Sequence, residues 1–160
     1  MDESTSFAAV EYPHGIASAR VDEKGRLKLP AHFHKYLTEI GANKVFVTSF
    51  DERIGRIYPT AVWNQVVAKL STPGDETEEG EDLLFLANDI GDDAEIDSQG
   101  RFLVPAKMRK AMGFESQAVY LEHQKGHIKL FGSEVYEERR QRAIEKRAEK
   151  LKAFERKGLL

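Results

Sequence analysis

Apolar and polar residues alternate along short segments of the chain, and each such segment predicts a strand with one buried face. Residues 17–22 and 26–29 both follow this pattern, with Leu27 and Leu29 on the inward side of the second segment. The residues between the two segments are Glu23, Lys24 and Gly25, which suit a tight turn. The pattern therefore predicts a β-hairpin with a short loop.

A short helix is predicted directly after this hairpin. Pro30 suits the start of a helix, because a proline there loses no intrahelical hydrogen bond. The apolar residues that follow recur at helical spacing and define one face: Phe33, Tyr36, Leu37 and Ile40. Gly41 favours the end of the helix. Two further strands, roughly over residues 44–50 and 55–58, complete the unit.

The whole unit occurs twice, with the second copy 75 positions after the first. The residues that recur at fixed positions are Asp22, Gly25, Arg26, Pro30 and Ala31, answered by Asp97, Gly100, Arg101, Pro105 and Ala106. Each glycine suits the positive φ of a tight turn, and each aspartate can accept hydrogen bonds from backbone amides of the turn. A repeat of this length predicts a duplicated domain whose halves share a core or lie side by side.

The predicted fold class is mixed α+β and mainly β. Pattern and composition divide the chain into a flexible arm (1–13), a first repeat (14–70), an acidic linker (71–82), a second repeat (83–137) and a charged C-terminal helix (138–160). The apolar run over 83–87 predicts a docked helix. The apolar stripe of the tail is narrow, which suits a coiled-coil seam or a partly docked helix.

Composition limits the cellular compartment and the kinds of binding site that we expect for this chain. The chain has no cysteine, which excludes disulfides and thiolate zinc sites. Its first twenty residues hold no apolar run typical of a signal peptide, and no segment approaches the ~20 apolar residues that a membrane span needs. We expect a soluble, cytoplasmic protein without a membrane partner.

Charge is unevenly distributed along the chain. The net charge is −3, but residues 71–97 contain eleven acidic residues and no lysine or arginine. Removing those eleven negative charges leaves the rest of the chain at +8. Such segregation is compatible with a polyanionic partner for the basic part. Two interpretations of the acidic segment stay open. It is a solvated linker, or it has a function of its own, as a cover for the basic face, a DNA mimic or a protein-binding segment.

The first turn motif offers a candidate DNA-binding surface. Its outward residues are Arg20, Lys24, Arg26 and Lys28, and a two-stranded ribbon of this kind can enter the major groove of DNA. The alternative is a solvated strand face on which Arg26 pairs with Asp22 or Glu23. The outward residues of the second copy are Glu95, Asp97, Gln99, Arg101 and Leu103. We therefore expect the first copy to carry most of the contact, and Arg101 to be either a DNA ligand or an ion-pair partner of its own turn.

Enzyme chemistry has little support in the sequence. His123 and His127 flank a predicted turn and could be cross-strand neighbours, but no third metal ligand accompanies them. A carboxylate pair of Asp22 and Asp97 is conceivable, although their turn roles explain both residues. No Ser/His/Asp arrangement or phosphate-binding glycine loop is visible. We expect no catalytic residues, no metal, no cofactor and no small-molecule substrate.

The duplicated D-x-x-G-R turn, each time leading into a Pro-Ala helix start, resembles the MraZ family, which is related to the AbrB and SpoVT swapped-hairpin domains. The resemblance covers roughly residues 14–137. It implies a β-barrel-like fold with pseudo-two-fold symmetry, ring-like homo-oligomers, and binding to repeated promoter sequences upstream of cell-division and cell-wall genes. It also implies that Arg26 and Arg101 contact DNA, and that the protein is associated with the nucleoid.

The chain departs from the family pattern at three places. Its amino-terminal arm is longer, its interdomain segment is acidic, and His34 stands where an arginine is typical, although Arg109 keeps that arginine in the second copy. Two other interpretations stay open, namely an AbrB-type antitoxin or other protein-binding regulator, and a general nucleoid-binding protein. The basic tail is compatible with a solvated helix, an oligomer contact or an extra DNA contact.

Overall fold

The computed structural model describes residues 10–160. The strands in this part of the chain are β1 (Ile16–Ala19), β2 (Arg26–Lys28), β3 (Lys44–Ser49), β4 (Gly55–Pro59), β5 (Asp92–Glu95), β6 (Arg101–Leu103), β7 (Val119–Gln124) and β8 (His127–Gly132). The helices are α1 (Ala31–Glu39), α2 (Thr60–Leu70), α3 (Thr77–Ile90), α4 (Ala106–Met112), α5 (Ser133–Ile144) and α6 (Arg147–Arg156). These elements confirm the predicted mixed α+β class. The expectation that the fold is mainly β is wrong for residues 10–160, because their helices contain more residues than their strands.

Six strands form one antiparallel sheet in the order β1-β7-β8-β4-β3-β5, and β2 pairs with β6 in a separate two-stranded ribbon. The two copies exchange their first strands, because β1 pairs with β7 of the second copy and β5 pairs with β3 of the first. An approximate two-fold axis passes through the β4–β8 pair and through the β2–β6 ribbon. Each copy therefore completes the sheet of the other.

The predicted hairpin of residues 17–22 with 26–29 is confirmed only at its turn. One antiparallel bridge, between Val21 and Leu27, and the hydrogen bond from Asp22 N–H to Arg26 O (2.8 Å) join the two segments. β2 instead pairs with β6, and the ladder extends at both ends through Leu29 N–H to Gly100 O (2.8 Å) and Val104 N–H to Gly25 O (3.0 Å). Pairing between the copies satisfies backbone groups along the whole ribbon, whereas the local turn satisfies only a few.

The swapped strands do not close a barrel within residues 10–160. β1 and β5 are the two edges of the six-stranded sheet, and the ribbon is a separate sheet. The main core nevertheless contains side chains of both copies. It includes Leu27 and Phe33 of the first copy together with Phe102 and Met108 of the second, all of them almost fully buried. The two halves thus share one core, and burial of this apolar surface stabilises them jointly.

The segment between the copies is more ordered than a linker. The predicted acidic linker over 71–82 is helical from Thr77, and α3 includes the docked helix expected over 83–87. Gly80 on this helix packs so closely on the backbone of Leu70 that a methyl group there would overlap the Leu70 carbonyl. The tail forms two helices, since the chain turns at Lys146, which has a positive φ of 55°.

The predicted flexible arm over residues 1–13 lies mostly outside the described residues. Of its last residues, Tyr12 stacks on His123 with ring centroids 4.8 Å apart, so this end of the arm packs on the sheet. In residues 10–160 no helix combines the length and the apolar composition that crossing a membrane requires.

Candidate nucleic-acid interface

The β2–β6 ribbon presents a basic face to solvent. Leu27 and Phe102 lie opposite each other at its centre and are buried against the core. Because side chains alternate along a strand, the neighbouring residues point outward. Arg26 lies opposite Leu103, and Lys28 lies opposite Arg101. The register thus places three cations, drawn from both copies, on one outward surface, which we call the ribbon face (Arg26, Lys28, Arg101 and Leu103).

Each turn aspartate fixes the backbone that leads into the ribbon. Asp22 Oδ1 accepts hydrogen bonds from the amides of Lys24 and Arg26, both at 2.9 Å. Asp97 Oδ1 accepts the equivalent bonds in the second copy, from the amides of Gln99 and Arg101. The backbone amide that follows each turn is the largest cause that lowers the pKa of these two carboxyl groups. Both turns therefore hold an anionic aspartate beside an arginine.

Each turn arginine forms an ion pair within its own turn. Arg26 Nε lies 3.4 Å from Asp22 Oδ2, and Arg101 Nε lies 3.1 Å from Asp97 Oδ2. Both arginine side chains are 32% exposed. In each pair the atom that meets the carboxylate is Nε, the nitrogen nearest the chain. The guanidinium groups are thus oriented by the turn while remaining at the surface.

The remaining predicted cations lie near the ribbon without being part of its ladder. Lys24 is exposed in the first turn, and the bridge at Val21 brings exposed Arg20 alongside β2. No ion pair of Arg20, Lys24 or Lys28 is formed with any residue from 10 to 160. The single basic hairpin predicted from the first copy is therefore replaced by a surface that both copies build. The relative importance of Arg26 and Arg101 stays a prediction.

A contact between the copies supports each turn, and sequence reasoning assigned no role to it. Gly25 has a φ of +82°, and a side chain there would overlap the guanidinium group of Arg109. Arg109 donates to the Val104 carbonyl and pairs with Glu115 at 3.1 Å. His34, the counterpart of Arg109, lies over Gly100 in the same way. The sequence signal for this contact is that His34 and Arg109 are 75 positions apart, which is the offset between the two copies.

The histidines that were candidates for a metal site do not face each other. His127 lies opposite Gln124 in the β7–β8 register, while His123 lies opposite Ile128. His127 stacks on Tyr58 with centroids 4.8 Å apart, and His123 Nε2 lies 3.3 Å from the Tyr36 hydroxyl. Residues 10–160 contain no group of three potential metal ligands. Packing explains both histidines.

Fold and surface together define a duplicated, strand-swapped α+β protein with a basic two-stranded ribbon. No family model matches the chain. It is similar to proteins named Transcriptional regulator MraZ from Acidobacterium capsulatum (37% identical, covering 76% of this chain and 77% of that protein) and Koribacter versatilis (35% identical, 67% and 74%). It is also similar to the protein of that name from Neisseria meningitidis (33% identical, 77% and 82%). That name describes a regulator, not an enzyme. The chain belongs to the MraZ family.

Proposed function

We propose that this chain is a sequence-specific DNA-binding transcriptional regulator that acts as a homo-oligomer on repeated promoter sites upstream of cell-division and cell-wall genes. It does so in the cytoplasm, associated with the nucleoid. The observation that carries the proposal is the ribbon face, on which Arg26, Lys28 and Arg101 share one outward surface. Membership of a family whose members are named as transcriptional regulators supports it.

The ribbon face suits double-stranded DNA for physical reasons. The major groove admits a two-stranded ribbon, and arginine can donate two parallel hydrogen bonds to guanine or to a phosphate. The turn aspartates orient Arg26 and Arg101 before DNA arrives, which lowers the entropy lost on binding. Lys24, Lys28 and Arg20 are the proposed phosphate contacts, which position the protein and contribute the salt-dependent part of the affinity.

Two substitutions test this proposal and rank the two copies. Arg26→Ala and Arg101→Ala are each titrated against operator DNA and scrambled DNA at several salt concentrations. Loss of a base-specific arginine costs about 1–3 kcal/mol of binding free energy, so we expect Arg26→Ala to weaken operator binding by roughly 5- to 150-fold. Arg101→Ala should weaken it less, because acidic and apolar residues accompany Arg101 in its copy.

Arg53→Ala is the matched control, because this exposed arginine pairs with Glu138 and lies in the β3–β4 turn rather than on the ribbon. A larger loss for Arg101→Ala would contradict the ranking. Unchanged binding by both ribbon variants would contradict the site itself. An equal affinity of the unaltered chain for operator and scrambled DNA would instead identify a general nucleoid-binding protein.

A further inference from the structure

The outer face of the sheet carries an aromatic cluster in each copy, and only one of the two is covered by a helix. In the first copy, Trp63 of α2 stacks on Phe46 of β3 (4.6 Å between centroids) and packs on Tyr58 of β4. Helix α3 lies over this cluster through Ala87 and Leu84. A hydrogen bond of 2.6 Å from Thr48 Oγ1 to the Ala87 carbonyl fixes the helix to β3. The first copy thus buries its outer aromatic residues beneath α3.

The second copy has the corresponding cluster but not the covering helix. Tyr136 of α5 stacks on Tyr120 of β7 at 4.1 Å and packs near Phe131 of β8. These residues correspond to Trp63, Phe46 and Tyr58. Within residues 10–160 no helix packs on α5 and β7 as α3 packs on α2 and β3. Tyr120 and Tyr136 are accordingly only half-buried.

An open groove of about 440 Å³ occupies this place on the second copy. We call it the α5 groove, and its main lining residues are Ile16, Glu122, Phe131, Tyr136, Arg139 and Arg140. Ile16 is half-exposed at its rim. The groove is basic, since Lys129, Arg139 and Arg140 outnumber Glu122 among its charged residues. None of its three cations forms an ion pair with residues 10–160.

The outward face of α3 is complementary to this groove. Phe85 is 71% exposed and Leu86 is 49% exposed, although both belong to a helix whose opposite face is docked. Acidic residues surround the two apolar side chains, and they are Glu78, Glu79 and Asp82. None of these acids forms an ion pair within the described part of the chain. An apolar pair among carboxylates thus matches an aromatic groove flanked by guanidinium groups.

We infer that the outward face of α3 of one chain docks in the α5 groove of a second copy of the same chain. Phe85 and Leu86 meet the Tyr136 side of the groove, and the carboxylates of α3 pair with Arg139 and Arg140. The two surfaces are different parts of the molecule, so the contact is head-to-tail, and repetition generates a ring or an open filament. The inference deepens the proposed function, because it rests on the proposed homo-oligomer and names the surfaces that build it.

Two variants test the contact by the mass of the assembly in solution without DNA. Phe85→Glu disrupts the α3 face, and the double variant Arg139→Glu with Arg140→Glu reverses the charge of the groove. We expect each variant to consist of single chains, as measured by sedimentation or light scattering. Arg142→Glu is the control, because it reverses one positive charge on α5 outside the groove lining, and it should leave the mass unchanged.

Mixing the two disrupted chains distinguishes this contact from a symmetric one. Each variant keeps one intact surface, so the mixture should form a complex of one chain of each kind and nothing larger. If the mixture stays as single chains, or if either variant alone keeps the mass of the unaltered assembly, the inference is overturned.

The affinity for DNA is measured separately from the mass of the assembly. Affinity for DNA that carries one repeat should be unchanged in Phe85→Glu, because α3 is not part of the ribbon face. Loss of assembly with retained single-repeat binding supports the inference. Retained assembly in a chain that binds no DNA would overturn the proposed function while leaving the contact between copies intact.

Discussion

At the scale of single residues, the turn aspartates explain why the two arginines can be ordered and still available. Asp22 and Asp97 each use one oxygen for backbone amides and the other for a guanidinium group. Exposed ion pairs contribute little to stability, so the value of each pair is mainly geometric. If Arg26 contacts DNA as proposed, its side chain is already held in place by Asp22 before DNA binds.

His127 is the residue whose titration most clearly affects stability. It is 7% exposed beneath Tyr58, and among residues 10–160 its Nε2 has no hydrogen-bond partner. Burial, followed by the nearby charge of Arg56, lowers the pKa of His127 to about 4. The unfolded chain therefore binds more protons than the folded one between about pH 4 and the ordinary histidine value of about 6.5. Its stabilising contribution is present above that window and is lost as the pH falls through it.

We expect His127→Phe to reduce the pH dependence of the free energy of unfolding between about pH 6.5 and 4. One histidine contributes a slope of at most about 1.4 kcal/mol per pH unit, and phenylalanine keeps the stack on Tyr58 without a proton to bind. Urea unfolding at several pH values measures the slope. Some slope should remain, because burial also lowers the pKa of His123. An unchanged slope in His127→Phe would disprove the assignment.

At the scale of elements, the sequence predicts what is local and misses what depends on a distant partner. The helix face of Phe33, Tyr36, Leu37 and Ile40 is predicted from spacing alone. The structure buries the first three, whereas Ile40 lies just after the end of α1 and is 38% exposed. Alternation around Leu27 predicts which side of β2 is buried, but it contains no information on which strand lies beside it. The partner turned out to be β6, so the neighbour of Lys28 is Arg101 and not another residue of the first turn.

The same limit applies to the support of the turns. Gly25 was predicted to need a positive φ, which is a property of its own backbone. The guanidinium group of Arg109 above it comes from the other copy and depends on the tertiary fold. The candidate site was therefore predictable in its residue types and turn geometry, and its assembly from two copies was not.

The dependence of DNA binding on the number of cations on the ribbon face can be tested by adding one cation. Leu103 occupies in the second copy the position of Lys28 in the first, and it is 54% exposed. We expect Leu103→Lys to strengthen binding to DNA and to steepen its dependence on salt by about one counterion, because each added phosphate contact releases about one. Titrations between low and moderate salt measure both quantities.

The control for this change is Leu151→Lys, which adds the same charge at a half-exposed position of α6. If both variants bind more tightly by the same factor, the gain reflects net charge and not the ribbon. Weaker binding by Leu103→Lys would show that the ribbon face does not meet phosphates in this way.

At the scale of the whole molecule, one chain offers a small basic surface, so useful affinity should come from several chains on one DNA. Linked binding events raise the overall affinity by roughly 10²–10⁴-fold without any new contact. We expect weak binding to DNA with a single repeat and a steep gain with each added repeat. Gel-shift titrations on one, two and three repeats measure this gain.

The control changes the spacing between the DNA repeats. Inserting half a helical turn between two repeats moves the second site to the other side of the duplex. The gain should then fall while the affinity for a single repeat stays the same. Equal affinity for one and three repeats would contradict binding by an oligomer.

Because the two copies belong to one chain, positions related by the approximate two-fold axis can accept different amino acids. His34 and Arg109 differ in this way, and so do Lys28 and Leu103. A dimer of identical single-copy chains would have to repeat every substitution on both sides. This molecule has distinguishable sides, so on a duplex it would point in one direction, and it would favour sites arranged as direct repeats over palindromes.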